Sequence, residues 1–152
     1  MAEIIELLFE YVDTLRLVPV IKKICSESAL ETYQIAGNKD QEGSGAEFND
    51  RIVDEILTLS NGVLYLNFSM FKYRDFTQDS VGMSVYMYNE AYDLSLDFNE
   101  KRIRKKDIED MLEWIRLLDK DLNAKDFFCG YESANDFSTR FFSKTMIGPL
   151  KW

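Results

Sequence analysis

The sequence predicts an α+β fold: an antiparallel sheet of about four to six strands with two main helices packed on one face. Three observations carry this. Residues 83–98 alternate apolar and polar side chains about a short polar turn, as a hairpin does. Residues 106–122 repeat apolar residues at three- and four-residue spacing, as an amphipathic helix does. The chain of 152 residues is 46% hydrophobic with only 2 prolines, enough for a packed core in a single domain spanning residues 1–152.

Along the chain, Ile4, Ile5, Leu8, Phe9, Val12 and Leu15 predict a first helix over residues 3–16, with Glu3 and Glu6 at its positive end. Pro19 is expected to stop it, because proline removes an N–H and crowds the preceding turn. Residues 20–36 fit either strands, around Val20-Ile21 and Tyr33–Ala36, or part of a second helix. Residues 37–46 read as a loop, with Gly37, Asn38, Gly43, Ser44 and Gly45. No Gly-Lys-Ser/Thr follows, so a phosphate loop is not indicated.

Asn61-Gly62 between apolar runs predicts a hairpin turn, since both residues tolerate positive φ. In the strand after it, Leu64, Leu66, Phe68 and Met70 share a face. In the arm before it, Ile52, Val53, Ile56 and Leu57 also fit a helix face. Lys72–Ser80 reads as a polar connection. A second hairpin places Met83, Val85 and Met87 opposite Ser84, Tyr86 and Tyr88. It turns near Asn89-Glu90 and returns with Tyr92, Leu94, Leu96 and Phe98 opposite Asp93, Ser95 and Asp97. That last face is polar throughout and is expected to meet water.

The most regular helix follows a basic stretch, Lys101–Lys106. Its apolar stripe is Ile108, Met111, Leu112, Ile115, Leu118 and Leu122, widened by Trp114 and Leu117, with Asp107, Glu109 and Asp110 in the first turn and Asn123 as its stop. Residues 126–131 predict a strand in which Gly130 marks a bulge or a close backbone approach. Residues 137–143 fit a last strand or a short helix. The apolar tail Met146–Trp152 is expected to dock on the fold.

The composition excludes several chemistries. The chain has no histidine, which rules out Ser-His-Asp and Cys-His catalysis and any histidine-containing zinc site. Cys25 and Cys129 fit neither a metal spacing nor a disulfide framework, and read as small buried hydrophobes in a reducing compartment. Asp119-Lys120-Asp121-Leu122-Asn123 resembles half a calcium loop, but Ala124 and Gly130 stand where the turn glycine and the bidentate glutamate belong. Asn67-Phe68-Ser69 matches a glycosylation sequon inside a predicted strand. No catalytic residue, metal ligand or cofactor is assigned.

The net charge of −9 argues against general nucleic-acid binding and against anionic membranes. Residues 1–60 carry 12 acids and 5 bases, residues 61–99 carry 5 and 2, and residues 100–152 carry 10 and 11, so the acidic surplus lies in the first two thirds. The acidic N-terminus Met-Ala-Glu-Ile-Ile-Glu lacks the basic start of a secretory signal, and no apolar run approaches the ~18 residues of a membrane helix. A cytoplasmic protein is expected, of open oligomeric state. Tyrosines at Tyr86 and Tyr88 add interface-prone aromatic groups.

Taken together, the acidic N-terminal two thirds, the tyrosine-bearing strands Val81–Tyr88 and Tyr92–Phe98 and the lack of histidine resemble the immunity proteins of bacterial toxin systems. The resemblance spans the chain in style and rests on no signature motif, so it transfers no functional residue. It implies a small, acidic, non-catalytic bacterial protein that covers the active surface of a cognate toxin, such as a basic nuclease. The expected partner contacts are Tyr86, Tyr88, Glu90, Asp93 and Asp97, near the second hairpin. Two other readings stay open: a small enzyme or ligand-binding domain using carboxylates, tyrosine and lysine, and a structural or regulatory subunit of a homodimer.

Overall fold

The computed structural model describes residues 3–37, 40–56, 58–103 and 105–150. Asn38, Leu57, Arg104, Lys151 and Trp152 of the expectations above lie outside the described residues, as do the side chains of Lys105, Lys106, Asp107, Ile108, Glu109 and Asp110. Among the described residues, eight strands form one antiparallel sheet: β1 (Ile4–Glu10), β2 (Ala29–Gly37), β3 (Gln41–Ser44), β4 (Asn61–Tyr73), β5 (Phe76–Tyr88), β6 (Ala91–Asn99), β7 (Asp126–Tyr131) and β8 (Arg140–Ser143). Their spatial order is β3-β2-β4-β5-β6-β1-β7-β8. Three helices are present: α1 (Thr14–Glu27), α2 (Asp50–Ile56) and α3 (Lys105–Leu122). The fold class is as predicted, but among the described residues the sheet has eight strands rather than four to six, and a short helix, α2, accompanies the two longer ones.

The largest correction is at the N-terminus, where residues 4–10 are a strand and not a helix. β1 lies between β6 and β7, paired on both edges. Ile5, Leu7 and Phe9 enter the core, and Leu8 on the other face is also buried. Ile4 and Leu8 break the polarity of the outward face that Glu6 and Glu10 otherwise mark, which hides the strand's period of two and leaves apolar residues at helical spacing. The first helix begins later, at Thr14, where the Asp13 carboxylate accepts the Leu15 N–H at 2.9 Å. Pro19 does not stop this helix but sits exposed within it. Burial of Leu17, Val20, Ile21 and Ile24 against the sheet offsets the missing hydrogen bond.

Three further expectations change. Asn61-Gly62 is not a hairpin turn. It opens β4 beside Gly37, and a Cβ on Gly37 would stand 2.6 Å from the Asn61 oxygen and the Gly62 Cα, so these glycines serve close strand approach. The arm before it is helix α2, buried through Ile52, Val53 and Ile56. Lys72–Ser80 is strand on both sides of a tight turn at Arg74-Asp75, with Arg74 at φ 55°. The loop at 37–46 contains β3 and leads into a 3-10 turn at Gly45–Glu47.

The second hairpin turns at Asn89-Glu90, as its sequence predicts, and both residues take positive φ there. Helix α3 ends at Leu122 with Asn123 at φ 50°. Its Met111, Trp114, Ile115, Leu118 and Leu122 are buried, whereas Leu112 is half-buried and Leu117 largely exposed. Gly130 stands at a register shift between β7 and β8, where a Cβ would lie 2.3 Å from the Thr139 oxygen. Residues 137–143 combine both forms expected of them, a 3-10 turn and then β8. The tail docks along β8, with Gly148 N–H donating to Phe141 O and Leu150 N–H to Arg140 O.

The buried faces of the helices and one face of the sheet form a single core. Trp114 stacks on Phe76 at 4.4 Å between ring centroids, meets Phe71 edge-on and donates its indole N–H to the Tyr73 carbonyl at 2.8 Å. No helix among the described residues is long and apolar enough to cross a membrane.

Because Pro19 lies in the exposed interior of α1, Pro19→Ala restores one helical hydrogen bond. It should raise unfolding stability by about 1–2 kcal/mol in urea titrations, part of the full helical penalty being cancelled by the looser unfolded chain. An unchanged or lower midpoint would mean that the helix bends at Pro19 to fit the sheet.

Candidate partner-binding face

The helices cover the sheet on one side, and the opposite side carries the polar half of the strand alternation. Strand register places its side chains in rows across the strands. One row runs Asn67, Gly82, Asp97, Glu6 and Gly130. The next runs Tyr65, Ser84, Ser95, Leu8 and Phe128. The third begins Val63, Tyr86 and Asp93 and is continued by the pair Glu10 and Asp126. Acidic residues from three strands therefore share this face, and Glu132 follows β7 beside them.

Two groups of carboxylates result. Asp97 and Glu6 are cross-strand partners, and both feel the charge of Glu132. Asp97 is mostly buried. Desolvation first, then repulsion from Glu6 and Glu132, pushes its pKa up to about 7. Its Oδ1 is sealed from solvent with no hydrogen-bond partner. Burial also raises Glu6, although its Oε1 accepts the Ala134 N–H at 3.0 Å. In the second group, burial and then Asp93 and Asp126 raise Glu10, against a pull from Arg140.

Asp93 is held firmly. Its Oδ1 accepts the Tyr11 N–H and its Oδ2 the Tyr88 hydroxyl, both at 2.9 Å. Burial and this hydrogen bond push the Tyr88 hydroxyl up in pKa, so it stays a donor. Burial raises Tyr86. Arg140 stands 4.3 Å over the Phe128 ring and donates to the carbonyls of Ala134 and Asn135.

Of the five residues expected to contact a partner, Tyr86, Tyr88, Asp93 and Asp97 do share this face. Glu90 lies off it, exposed in the β5–β6 turn. The face does not simply meet water as expected: Ser95 is fully buried and Ser84 nearly so, enclosed between neighbouring strands and the larger side chains of adjacent rows. Glu6, Glu10, Asp126 and Glu132 escaped the sequence reading. Reading residues 4–10 with a period of two would have put Glu6 and Glu10 on one polar face. Of the other tyrosines, Tyr92 and Tyr73 are core residues, Tyr73 donating to Asp121 at 2.6 Å.

No group of three or more His, Cys, Asp or Glu side chains among the described residues is placed to hold a metal ion. Asp119 pairs with Lys144 at 3.1 Å and Asp121 with Arg74 at 2.9 Å. Cys129 is buried and free, and burial raises both it and Cys25, the latter to about 12, which leaves the thiols poorly reactive.

A broad, acidic, tyrosine-edged sheet face over an apolar core describes a protein-binding domain. The chain matches the model of the PABL017 Cdi1I immunity protein family over residues 3–147 and belongs to that family. A solved structure of the toxic C-terminal tip of CdiA from Pseudomonas aeruginosa in complex with immune protein contains a chain of the same fold. The two superpose with a TM-score of 0.76 at 24% identity, covering 99% of this chain and 100% of that one. No curated protein matches the chain.

The raised pKa of Asp97 has a consequence for stability. An unfolded aspartate ionises near 3.8, so between that pH and about 7 the folded chain binds the extra proton, and this residue makes stability fall as pH rises. Asp97→Asn removes that cost. It should match the parent near pH 4 and exceed it at pH 8 by on the order of 2 kcal/mol in urea unfolding. A gap that does not widen with pH would refute the buried setting of Asp97.

Proposed function

We propose that the protein binds the toxic tip of a CdiA-type partner and holds it inactive, without catalysing a reaction, in the cytoplasm. The carrying observation is membership of an immunity family whose model matches residues 3–147, nearly the whole chain. The acidic face supports the reading. A net charge of −9 and clustered carboxylates would steer a basic domain toward the sheet, and Tyr86 and Tyr88 would supply amphipathic contact area. The contacts proposed are Tyr86, Tyr88, Asp93 and Asp97, with Glu90 at the rim. Two free cysteines suit a reducing compartment.

Calorimetry with the purified CdiA tip of the same system is the direct test. Tight one-to-one binding is expected, with an association rate that falls several-fold as salt rises from about 50 to 300 mM. The double substitution Asp93→Lys with Asp97→Lys should weaken binding by at least about tenfold. No binding by the parent would refute the immunity reading, while unchanged binding by the double variant would refute only this placement of the site.

A further inference from the structure

The row Asn67, Gly82, Asp97, Glu6 and Gly130 has two positions without side chains. At Gly130 the space is taken by the backbone of Thr139 and Arg140. At Gly82 there is room for a Cβ at ordinary contact distance. A Cβ there would touch only Asp97 and the Asn67 amide, at 3.8–3.9 Å, and its backbone is not in the left-handed region. Every other outward position of β5 from Ser84 to Tyr88 bears a side chain. The result is a notch one residue wide. A polar cleft past Thr32, Asn67 and Ser80 leads into it, and Asp97 walls its far side.

What faces Asp97 is acidic from each side. Glu6 approaches from β1 and Glu132 from the segment after β7, Asp93 lies four residues away along β6 on the same face, and β5 offers the Tyr86 hydroxyl nearby. Arg140, a cation beside this face, is committed to the Phe128 ring and to two backbone carbonyls, and its field reaches Glu10. Asp97 thus lines the notch with Oδ2 while its sealed Oδ1 has no donor, on a sheet face that no helix among the described residues covers.

Resting on the immunity reading, we propose that this outer sheet face is the docking surface for a basic patch of the toxin tip, and that one lysine or arginine of the tip enters the notch at Gly82 to pair with Asp97, Glu6 and Glu132. A seated cation keeps Asp97 ionised. Docking below about pH 7 therefore releases a proton, and affinity climbs as pH rises through that value and then levels. The notch also gives register, since a cation has one place on the face to go.

The test is calorimetry of the CdiA tip against the parent, Gly82→Val and Asp97→Asn at about pH 6 and pH 8, with thermal melts as folding controls. Gly82→Val places a strand-favouring side chain in the notch and should weaken binding about tenfold or more. Asp97→Asn keeps the shape, should weaken binding comparably at pH 8 and should abolish the excess pH dependence seen in the parent. If Gly82→Val does not fold, Asp97→Asn alone decides. Parent-like affinity and pH dependence in a folded Asp97→Asn would overturn the notch while leaving the immunity reading intact. A parent that does not bind the tip removes both.

Discussion

Strand β1 is hydrogen-bonded along both edges, to β6 on one side and β7 on the other. It is the first element in the chain and the sixth position in the sheet. Without it, the run from β2 to β6 and the pair β7–β8 would be separate sheets with exposed edges. Its inward residues, Ile5, Leu7 and Phe9, are among the most buried in the protein. Its outward residues, Glu6 and Glu10, face the carboxylates of neighbouring strands. One strand therefore closes the sheet and assembles the acidic face together.

That assembly opposes stability. Glu6, Asp97 and Glu132 repel one another, and burial adds a desolvation cost to Asp97. The opposing term lies on the other side of the sheet. The aromatic group of Trp114, Phe71, Phe76, Tyr73 and Phe98 ties α3 to the ends of β4, β5 and β6. Arg74 and Tyr73 close its margin on Asp121. A strongly apolar inner face offsets a mutually repelling outer one. This division is what a binding surface requires when its charges are to be satisfied by a partner.

The parts of this arrangement that were legible in the sequence have local causes. The β5–β6 hairpin is specified by alternation and by Asn89-Glu90 at positive φ, and α3 by its stripe and by Asn123. From that hairpin alone, Tyr86, Tyr88, Asp93 and Asp97 could be put on one face. The parts that were not legible depend on neighbours distant in sequence. Residues 4–10 look helical because Leu8 stands apolar on the outward face between Glu6 and Glu10, where neighbouring strands bury it. Gly37 and Gly62 look like turn residues because the backbone that crowds them comes from another strand. Pro19 looks like a stop because the burial that retains it within α1 is tertiary.

The sequence by itself determined the class: a histidine-free, acidic α+β chain with a core-forming helix and a tyrosine-edged hairpin. Composition and short-range periodicity suffice for that, since each is a property of adjacent residues. Only the tertiary structure decided which acids meet. Glu6 and Asp97 are far apart along the chain, yet antiparallel pairing of β1 with β6 makes them cross-strand neighbours, and a one-residue change of register would have turned either away. Register is set by the burial of the opposite face, so the core decides where the charges stand.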